Sequence, residues 1–520
     1  MRRIEILDTT LRDGAQSRGV SFSVEDKLAI AATLDSLGIP LIELGNPESA
    51  PREAEVFRKI DPSRFAARIC AFGSTRRKDG SAETDLAALA ATGAPVAVLV
   101  GKAWLYHVRE VLGTSPEENL RMIDDSVRFL RRRGMEVIFD AEHFFDGFAE
   151  DETYAREVLR TALDAGARTV VLCDTNGGTF PDTIASVVER AAARFGDRIG
   201  IHCHDDCGCA VAGAIAAVRA GASHVQGTLL GIGERCGNTN LSTLIPDLQL
   251  KLGFSCIPED ALAALTFSAR RVADVANISL NKNSPYVGAN AFSHKAGMHA
   301  DGVFKSTATF EHIDPSLVGN SRHFVTSELA GRNLILRKLQ SAVPGLTKDS
   351  PELQNILDAL KSREQDGYTY EAAEASFELL ALRTVGRCKK HFDMLFYKTI
   401  WEYPAPLDNP AAAIVKVRVD GREAVEAGEG DGPVNALDVA LRRALTQFFP
   451  HLVESYLSDF KVRVLNPEAA TAAVTRVLMT STDGRNTWST IGVSGDILEA
   501  CRTALEDAIE YKLMLDEKET

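Results

Sequence analysis

Ile4-Glu5-Ile6-Leu7-Asp8-Thr9-Thr10-Leu11-Arg12-Asp13-Gly14 is an apolar, strand-like stretch that runs directly into charged and hydroxyl side chains. Ile199-Gly200-Ile201-His202-Cys203-His204 repeats that arrangement far along the chain. Between and after them the same unit recurs: a short β-rich run, polar residues at its end, then an amphipathic helical stretch. The pattern predicts strands at 4–7, 41–44, 68–71, 96–100, 137–140, 169–173, 199–201 and 224–227. Helical patterns fall between them, among them 24–37, 116–133 and 153–165. Gly38, Gly166 and Gly221 stand where helix stops are expected. Eight such units predict an α/β fold, a (β/α)8 barrel. A doubly wound open sheet is the alternative, but no Gly-x-Gly-x-x-Gly follows the first strand.

The chain has 520 residues and a formal net charge of -14. That length predicts more than one domain. We expect the barrel over 1–274, a mostly helical linker over 275–390, and a C-terminal α+β domain over 391–520. In the last part Val415-Lys416-Val417-Arg418-Val419-Asp420-Gly421-Arg422 is echoed by Thr475-Arg476-Val477-Leu478-Met479-Thr480-Ser481-Thr482-Asp483-Gly484-Arg485. Both Asp-Gly pairs predict hairpins, each followed by a helix, at 434–444 and 497–509. A duplicated strand-hairpin-helix unit without a catalytic cluster reads as a binding or association module.

The acidic balance and dispersed cations argue against a nucleic-acid partner. Arg131-Arg132-Arg133, the densest basic run, reads as a favourable helix C-terminus. No stretch has the roughly 18 consecutive apolar residues of a membrane span, and the N-terminus lacks a signal-peptide core. Nine irregularly spaced cysteines read as reduced thiols. The expectation is a cytoplasmic protein with no membrane partner.

In a (β/α)8 barrel the chemistry lies at the carboxyl ends of the strands. Arg12, Asp13, Glu43, Glu142, Asp174, Thr175, His202, His204, Glu234, Arg235 and Asn238 all fall there. Alternation in an extended segment puts His202 and His204 on one face. With Asp13 from the first strand they would form a mixed imidazole and carboxylate site for Zn, Mn, Co or Mg, able to polarise a carbonyl. A thiolate site from Cys203, Cys207 and Cys209 is the rival, but Cys203 alternates away from the histidines. Arg12 suits an oxyanion or carboxylate. Thr175 can donate to a substrate carboxylate, and Glu142 is the candidate acid/base.

Leu7-Asp8-Thr9-Thr10-Leu11-Arg12-Asp13-Gly14-Ala15-Gln16, His202-Cys203-His204-Asp205-Asp206 and Gly231-Ile232-Gly233-Glu234-Arg235-Cys236-Gly237-Asn238 together resemble the 2-isopropylmalate, homocitrate and citramalate synthase family. The likeness continues through Phe292-Ser293-His294-Lys295-Ala296-Gly297-Met298-His299 into the C-terminal duplication. Within that family the runs 139–147, 173–179 and 368–373 are most similar to the (R)-citramalate synthases. The resemblance implies a divalent metal on Asp13, His202, His204 and Asn238, and a 2-oxo acid held by Arg12 and Thr175. It implies proton transfer by Glu142 and His299, the histidine coming from a partner subunit, hence a homodimer. It further implies acetyl-CoA as co-substrate and condensation with a small 2-oxo acid, pyruvate, to give citramalate for isoleucine biosynthesis. 2-Isopropylmalate or homocitrate synthesis, lyase chemistry and a non-catalytic regulatory paralogue are the alternatives. The C-terminal domain would bind an amino-acid effector, isoleucine or leucine.

The chain departs from the family pattern at Asp205 (usually Asn), Phe310 (usually Tyr), Leu230, Ile232 and the 43–47 segment. Asp205 so near the cation would affect metal binding, and Phe310 lacks a hydroxyl.

Overall fold

The computed structural model describes residues 2–294, 297–324, 335–336, 339–340, 343–402 and 410–519. Lys295 and Ala296 of the family-like run, and parts of the expected linker, lie outside the described residues. The chain divides into two compact units. The first holds residues 1–292 and 313–322, and the second holds 293–312 and 323–520.

The first unit is a closed parallel barrel of eight strands. They are β1 (Glu5–Asp8), β2 (Leu41–Gly45), β3 (Arg68–Ser74), β4 (Val96–Lys102), β5 (Glu136–Glu142), β6 (Thr169–Asp174), β7 (Ile199–Cys203) and β8 (His224–Gly227). β1 closes the ring on β8, with Glu5 opposite His224 and Leu7 opposite Gln226. All eight expected strands are present, several running one to three residues longer than the sequence pattern suggests. Alternation sorts their side chains into two cores. Leu7, Leu41, Cys70, Val96, Val98, Ile138, Val171 and Cys173 pack inside the ring. Ile6, Ile42, Leu99, Phe139 and Leu172 pack outward under the helices.

The helices begin where capping chemistry is available. Ser23 and Asp26 form a reciprocal capping box for the helix Val24–Ser36. Ser115 caps Pro116–Arg132, with Glu117 and Glu118 in its first turn and Arg131 and Arg132 in its last. That helix buries Met122, Ile123, Val127 and Leu130, each worth about 1.5–3 kcal/mol of transfer free energy. The helix expected over 153–165 instead spans Glu152–Asp164, because the Asp151 carboxylate takes the Tyr154 amide and starts it earlier. Gly38 and Gly221 sit at φ 81° and 127°, a region side chains rarely adopt, and turn the chain back into β2 and β8.

The second unit begins with a short parallel pair, β9 (Ser293–His294) and β10 (His323–Phe324). The helices Pro351–Gln365 and Glu374–Thr384 follow. Two three-stranded antiparallel sheets complete it. One is β11 (Asp393–Trp401), β12 (Ala411–Val419) and β13 (Arg422–Gly430), followed by the helix Pro433–Thr446. The other is β14 (Tyr456–Val464), β15 (Thr475–Thr482) and β16 (Thr487–Ser494), followed by Ile497–Glu519. The duplication is therefore real in three dimensions, with one strand per copy beyond the hairpins read from sequence. The two Asp-Gly turns differ. Asp420 and Gly421 both have positive φ in a two-residue turn. Asp483 instead opens a four-residue loop and accepts the Arg485 and Asn486 amides.

Candidate metal centre

The turn after β1 is built by local polar bonds. The Thr10 amide donates to Asp8 Oδ1 at 2.8 Å. The amides of Arg12, Asp13 and Gly14 converge on the Thr9 carbonyl. The Thr10 hydroxyl oxygen accepts the Leu229 amide at 2.9 Å, tying the turn to the segment after β8. This holds Arg12 and Asp13 at the carboxyl end of the barrel. His202 lies near the end of β7 and His204 just beyond it, two residues apart and therefore on one side. His204 also forms an isolated antiparallel bridge with Asn238.

Asp13 Oδ2 lies 3.5 Å from His202 Nε2 and 3.9 Å from His204 Nε2. One ligand atom from each of the three residues falls within 4.8 Å of the others. All three side chains are buried, as is Asn238. Asp13 Oδ1, His204 Nδ1 and Asn238 Oδ1 have no hydrogen-bond partner. An unpaired buried polar atom costs about 1–3 kcal/mol, a cost that a cation would relieve at Asp13 and Asn238. A neutral imidazole pair with a carboxylate suits a borderline divalent ion.

The electrostatics favour the ligand forms. Burial alone would raise the Asp13 carboxyl, but the Arg12 charge opposes it, and the carboxyl is held below the usual range. Burial, then the charge of His204, pushes His202 down to about 4. Burial also pushes His204 down. The histidines are thus neutral and the aspartate ionised near neutral pH.

Two residues that sequence reasoning did not single out for this task orient His202. Its Nδ1 lies 2.9 Å from Gln226 Oε1, and Gln226 Nε2 donates to Asp140 Oδ1 at 2.7 Å. With its amide nitrogen given to a carboxyl, Gln226 presents oxygen to His202. His202 then carries its proton on Nδ1 and turns a free Nε2 lone pair toward Asp13. Among the described residues no cysteine joins the cluster. Cys203 is buried with its thiol pushed well up by desolvation, and Cys207 is exposed.

Arg12 Nε donates to Glu43 Oε2 at 2.7 Å and Nη1 to Asp13 Oδ2 at 3.3 Å. Its guanidinium lies 4.0 Å over the Phe72 ring. Burial opposes the Arg12 charge, but Glu43 and Asp13 raise its pKa further, so it stays cationic. Glu43 is thus an anchor for Arg12. Thr175 Oγ1 accepts the His143 amide at 2.9 Å. Glu142 is ion-paired with Lys102, a partner the sequence did not suggest. His299 is exposed on a helix of the second unit and stacks on Phe310, ring centres 4.2 Å apart. Asp205 does not join the cluster. Its Oδ1 accepts the amide of Ala210, the first residue of the helix Ala210–Ala220, at 2.8 Å, while Asp206 pairs with Arg235 at 2.8 Å. Ile232 packs against Gly14, where even a Cβ would come within 3.2 Å of it.

Arg12, Asp13, Glu142, Thr175, His202 and His204 line one cavity of about 670 Å³. Arg76, Arg77, Lys78 and Lys102 line it too, giving a basic arm. Asn238 is not among the lining residues.

Comparison with known proteins gives three family matches along the chain. Residues 3–262 match the HMGL-like family. Residues 286–367 match the homocitrate synthase post-HMGL domain-like family, and 371–513 the LeuA allosteric (dimerisation) domain. An (R)-citramalate synthase of Aquifex aeolicus is 48% identical over 99% of this chain and 99% of its own length. Those of Synechocystis and Streptomyces coelicolor are 46% and 44% identical, each over 98% of this chain and 96% of their own length.

Proposed function

The chain belongs to the (R)-citramalate synthase family, and on that premise we propose that it condenses acetyl-CoA with pyruvate, releasing CoA and (R)-citramalate. The observation that carries the reading is one cavity holding the Asp13–His202–His204 cluster beside Arg12, in a chain aligned end to end with such synthases.

Asp13, His202, His204 and Asn238 would hold a divalent ion, which would supply Lewis-acid polarisation of the ketone. Arg12, fixed by Glu43 and Phe72, faces the charge that grows on the ketone oxygen. Thr175 orients the 2-oxo acid. Glu142 removes a proton from the acetyl methyl group, and the resulting enolate carbon attacks the ketone carbon. His299 of the partner subunit gives a proton to the alkoxide oxygen, which becomes the new hydroxyl. Hydrolysis of the thioester makes the sequence irreversible. The basic arm of Arg77 and Lys78 suits the phosphates of CoA.

The C-terminal unit binds an amino-acid effector, isoleucine or leucine, and joins two copies. Phe396, Trp401 and Tyr456 are 50%, 64% and 59% exposed on β11 and β14, large apolar surface of the kind a second copy covers. A lyase role is disfavoured by the match to the allosteric domain. We place the enzyme in the cytoplasm, supplying isoleucine biosynthesis. Among the described residues no helix is long and apolar enough to cross a membrane.

The test is direct. Purified protein with acetyl-CoA, Mn2+ or Mg2+ and a panel of 2-oxo acids should release CoA fastest with pyruvate. Absence of CoA release with pyruvate, 2-oxoisovalerate, 2-oxoglutarate and oxaloacetate overturns the proposal.

A further inference from the structure

The alternation of β4 and β5 points Val96 and Val98, Ile138 and Asp140 into the ring. Continuing each row to the mouth brings Lys102 opposite Glu142 in the strand register. Their side chains are ion-paired and both line the cavity. The backbone of this pair is pinned. The Ala103 amide donates to the Glu142 carbonyl at 3.1 Å, and Asn119 Nδ2 donates to the Lys102 carbonyl at 2.8 Å. The side chains are not sealed in: they are 21% and 25% exposed. Main chains are therefore fixed while the charged ends reach the cavity.

Removing a proton from a thioester methyl group needs two groups at once. A base takes the proton, and a donor receives the negative charge that moves onto the thioester oxygen. Of the other cations lining the cavity, the three arginines are ion-paired, and Lys78 donates to the Gly113 carbonyl at 3.1 Å. Arg12 is held by Glu43 and Asp13. Arg76 is held by Glu118 and Asp125, and Arg77 by Asp85. An ammonium has three N–H donors, and one suffices for Glu142.

We infer that Lys102 is a catalytic residue, the electrophilic partner of Glu142 in forming the acetyl-CoA enolate. The inference rests on the condensation reading above. The acetyl group enters between the two side chains. Its C–H bond breaks, the proton goes to the Glu142 carboxylate, and the electron pair moves to the thioester oxygen, where a Lys102 N–H holds it. That pair then returns to form the C–C bond as the ketone π electrons move to the ketone oxygen. No oxidant or reductant is required.

The experiment uses the full-length, metal-loaded protein. Two rates are followed in D2O: CoA release with pyruvate, and deuterium entry into the acetyl methyl group. Lys102→Met should lower kcat by about a hundredfold, the loss expected for one oxyanion donor. KM for pyruvate should stay within about threefold, because the donor acts chiefly in the transition state. Deuterium entry should slow in parallel, and Lys102→Arg should recover part of both rates. Metal content reports whether the site survives, and Lys102→Gln, which keeps a neutral N–H, is the second variant should Lys102→Met misfold. Unchanged kcat, or a loss confined to KM, overturns the inference while leaving the condensation reading intact. A wild-type protein that neither condenses nor exchanges rejects both.

Discussion

At the amino-terminal end of the barrel, Glu5, Arg68, Glu136, Arg168 and His224 close into a charged network. Arg168 pairs with Glu5 and with Glu136 (2.7 Å), Arg68 with Glu136 (3.0 Å), and His224 with Glu5 (3.1 Å). At the carboxyl end, Asp13, Glu43 and Asp140 surround Arg12, and Asp8 lies near Glu43. Glu5 at one end and Asp8 and Asp140 at the other respond oppositely. Burial raises Glu5, but His224 and Arg168 overcome it and bring it down to about 2. Burial followed by the Glu43 charge pushes Asp140 up to about 8, and burial pushes Asp8 up to about 7. The apolar layer between them, Leu7 to Val171, separates the two environments. One end has balanced its charges internally. The other holds charges that only a cation and an anionic substrate would balance, which is how a barrel divides stability from chemistry.

The largest expected effect tests the carboxyl end. His202→Ala should lower turnover by about three orders of magnitude, since it removes part of a Lewis-acid centre worth several kcal/mol. Its Tm in the absence of metal should hold or rise, because a desolvated imidazole is relieved. CoA release, metal content by mass spectrometry and a thermal melt provide the three readings. A large fall in Tm would show that this end carries stability after all.

Next comes the opposite end. Arg168→Leu should cost about 2–3 kcal/mol of stability, less than a fully buried pair because the arginine is partly exposed. Its kcat should stay within about twofold of wild type, the site lying at the far end of the strands. The pH dependence follows from Glu5. Its folded pKa lies below the ordinary 4.5, at about 2. Its stabilisation is therefore full above pH 4.5 and is lost as pH falls toward 2. Glu5→Gln should flatten the stability curve across that window, up to about 3 kcal/mol. An identical acid limb in urea titrations of both proteins would refute the assignment.

A smaller effect sharpens the comparison from within the carboxyl end. Gln226→Leu removes the group that fixes the His202 tautomer. Metal affinity should fall about 10–100-fold, measured by competition with a chelator. The same affinity in Gln226→Leu would leave the tautomer to other forces.

The sequence reveals some of this organisation and hides the rest, for physical reasons. The strand ends show because polar residues follow apolar runs, and His202 and His204 share a face because they are two apart. The helix starts show where Ser23 and Ser115 supply caps. Pairings set by strand register do not show. Lys102 meets Glu142 forty residues away, Gln226 meets Asp140 across the ring, and neither has a local signature. β11 and β14 escaped because their outward apolar residues are exposed and give no buried alternation. Asp205 is the clearest case of a signal read too closely. Its place after His204 suggested an added charge at the cation, but its side chain belongs to the next helix.

That last residue gives the smallest expected effect. Asp205 Oδ1 accepts from the Ala210 amide, which an asparagine oxygen does equally well, and helix N-termini accept either side chain. Asp205→Asn should change kcat and metal affinity by no more than about twofold and stability by about 0.5 kcal/mol or less. Asp205→Ala should cost about 1 kcal/mol, the usual loss of one hydrogen bond, with metal content unchanged. A tenfold shift in metal affinity for Asp205→Asn would mean that the carboxylate reaches the cation in the loaded enzyme. The carboxyl end would then hold one more ligand than Asp13, His202, His204 and Asn238, and its charge excess would be part of how the metal is chosen.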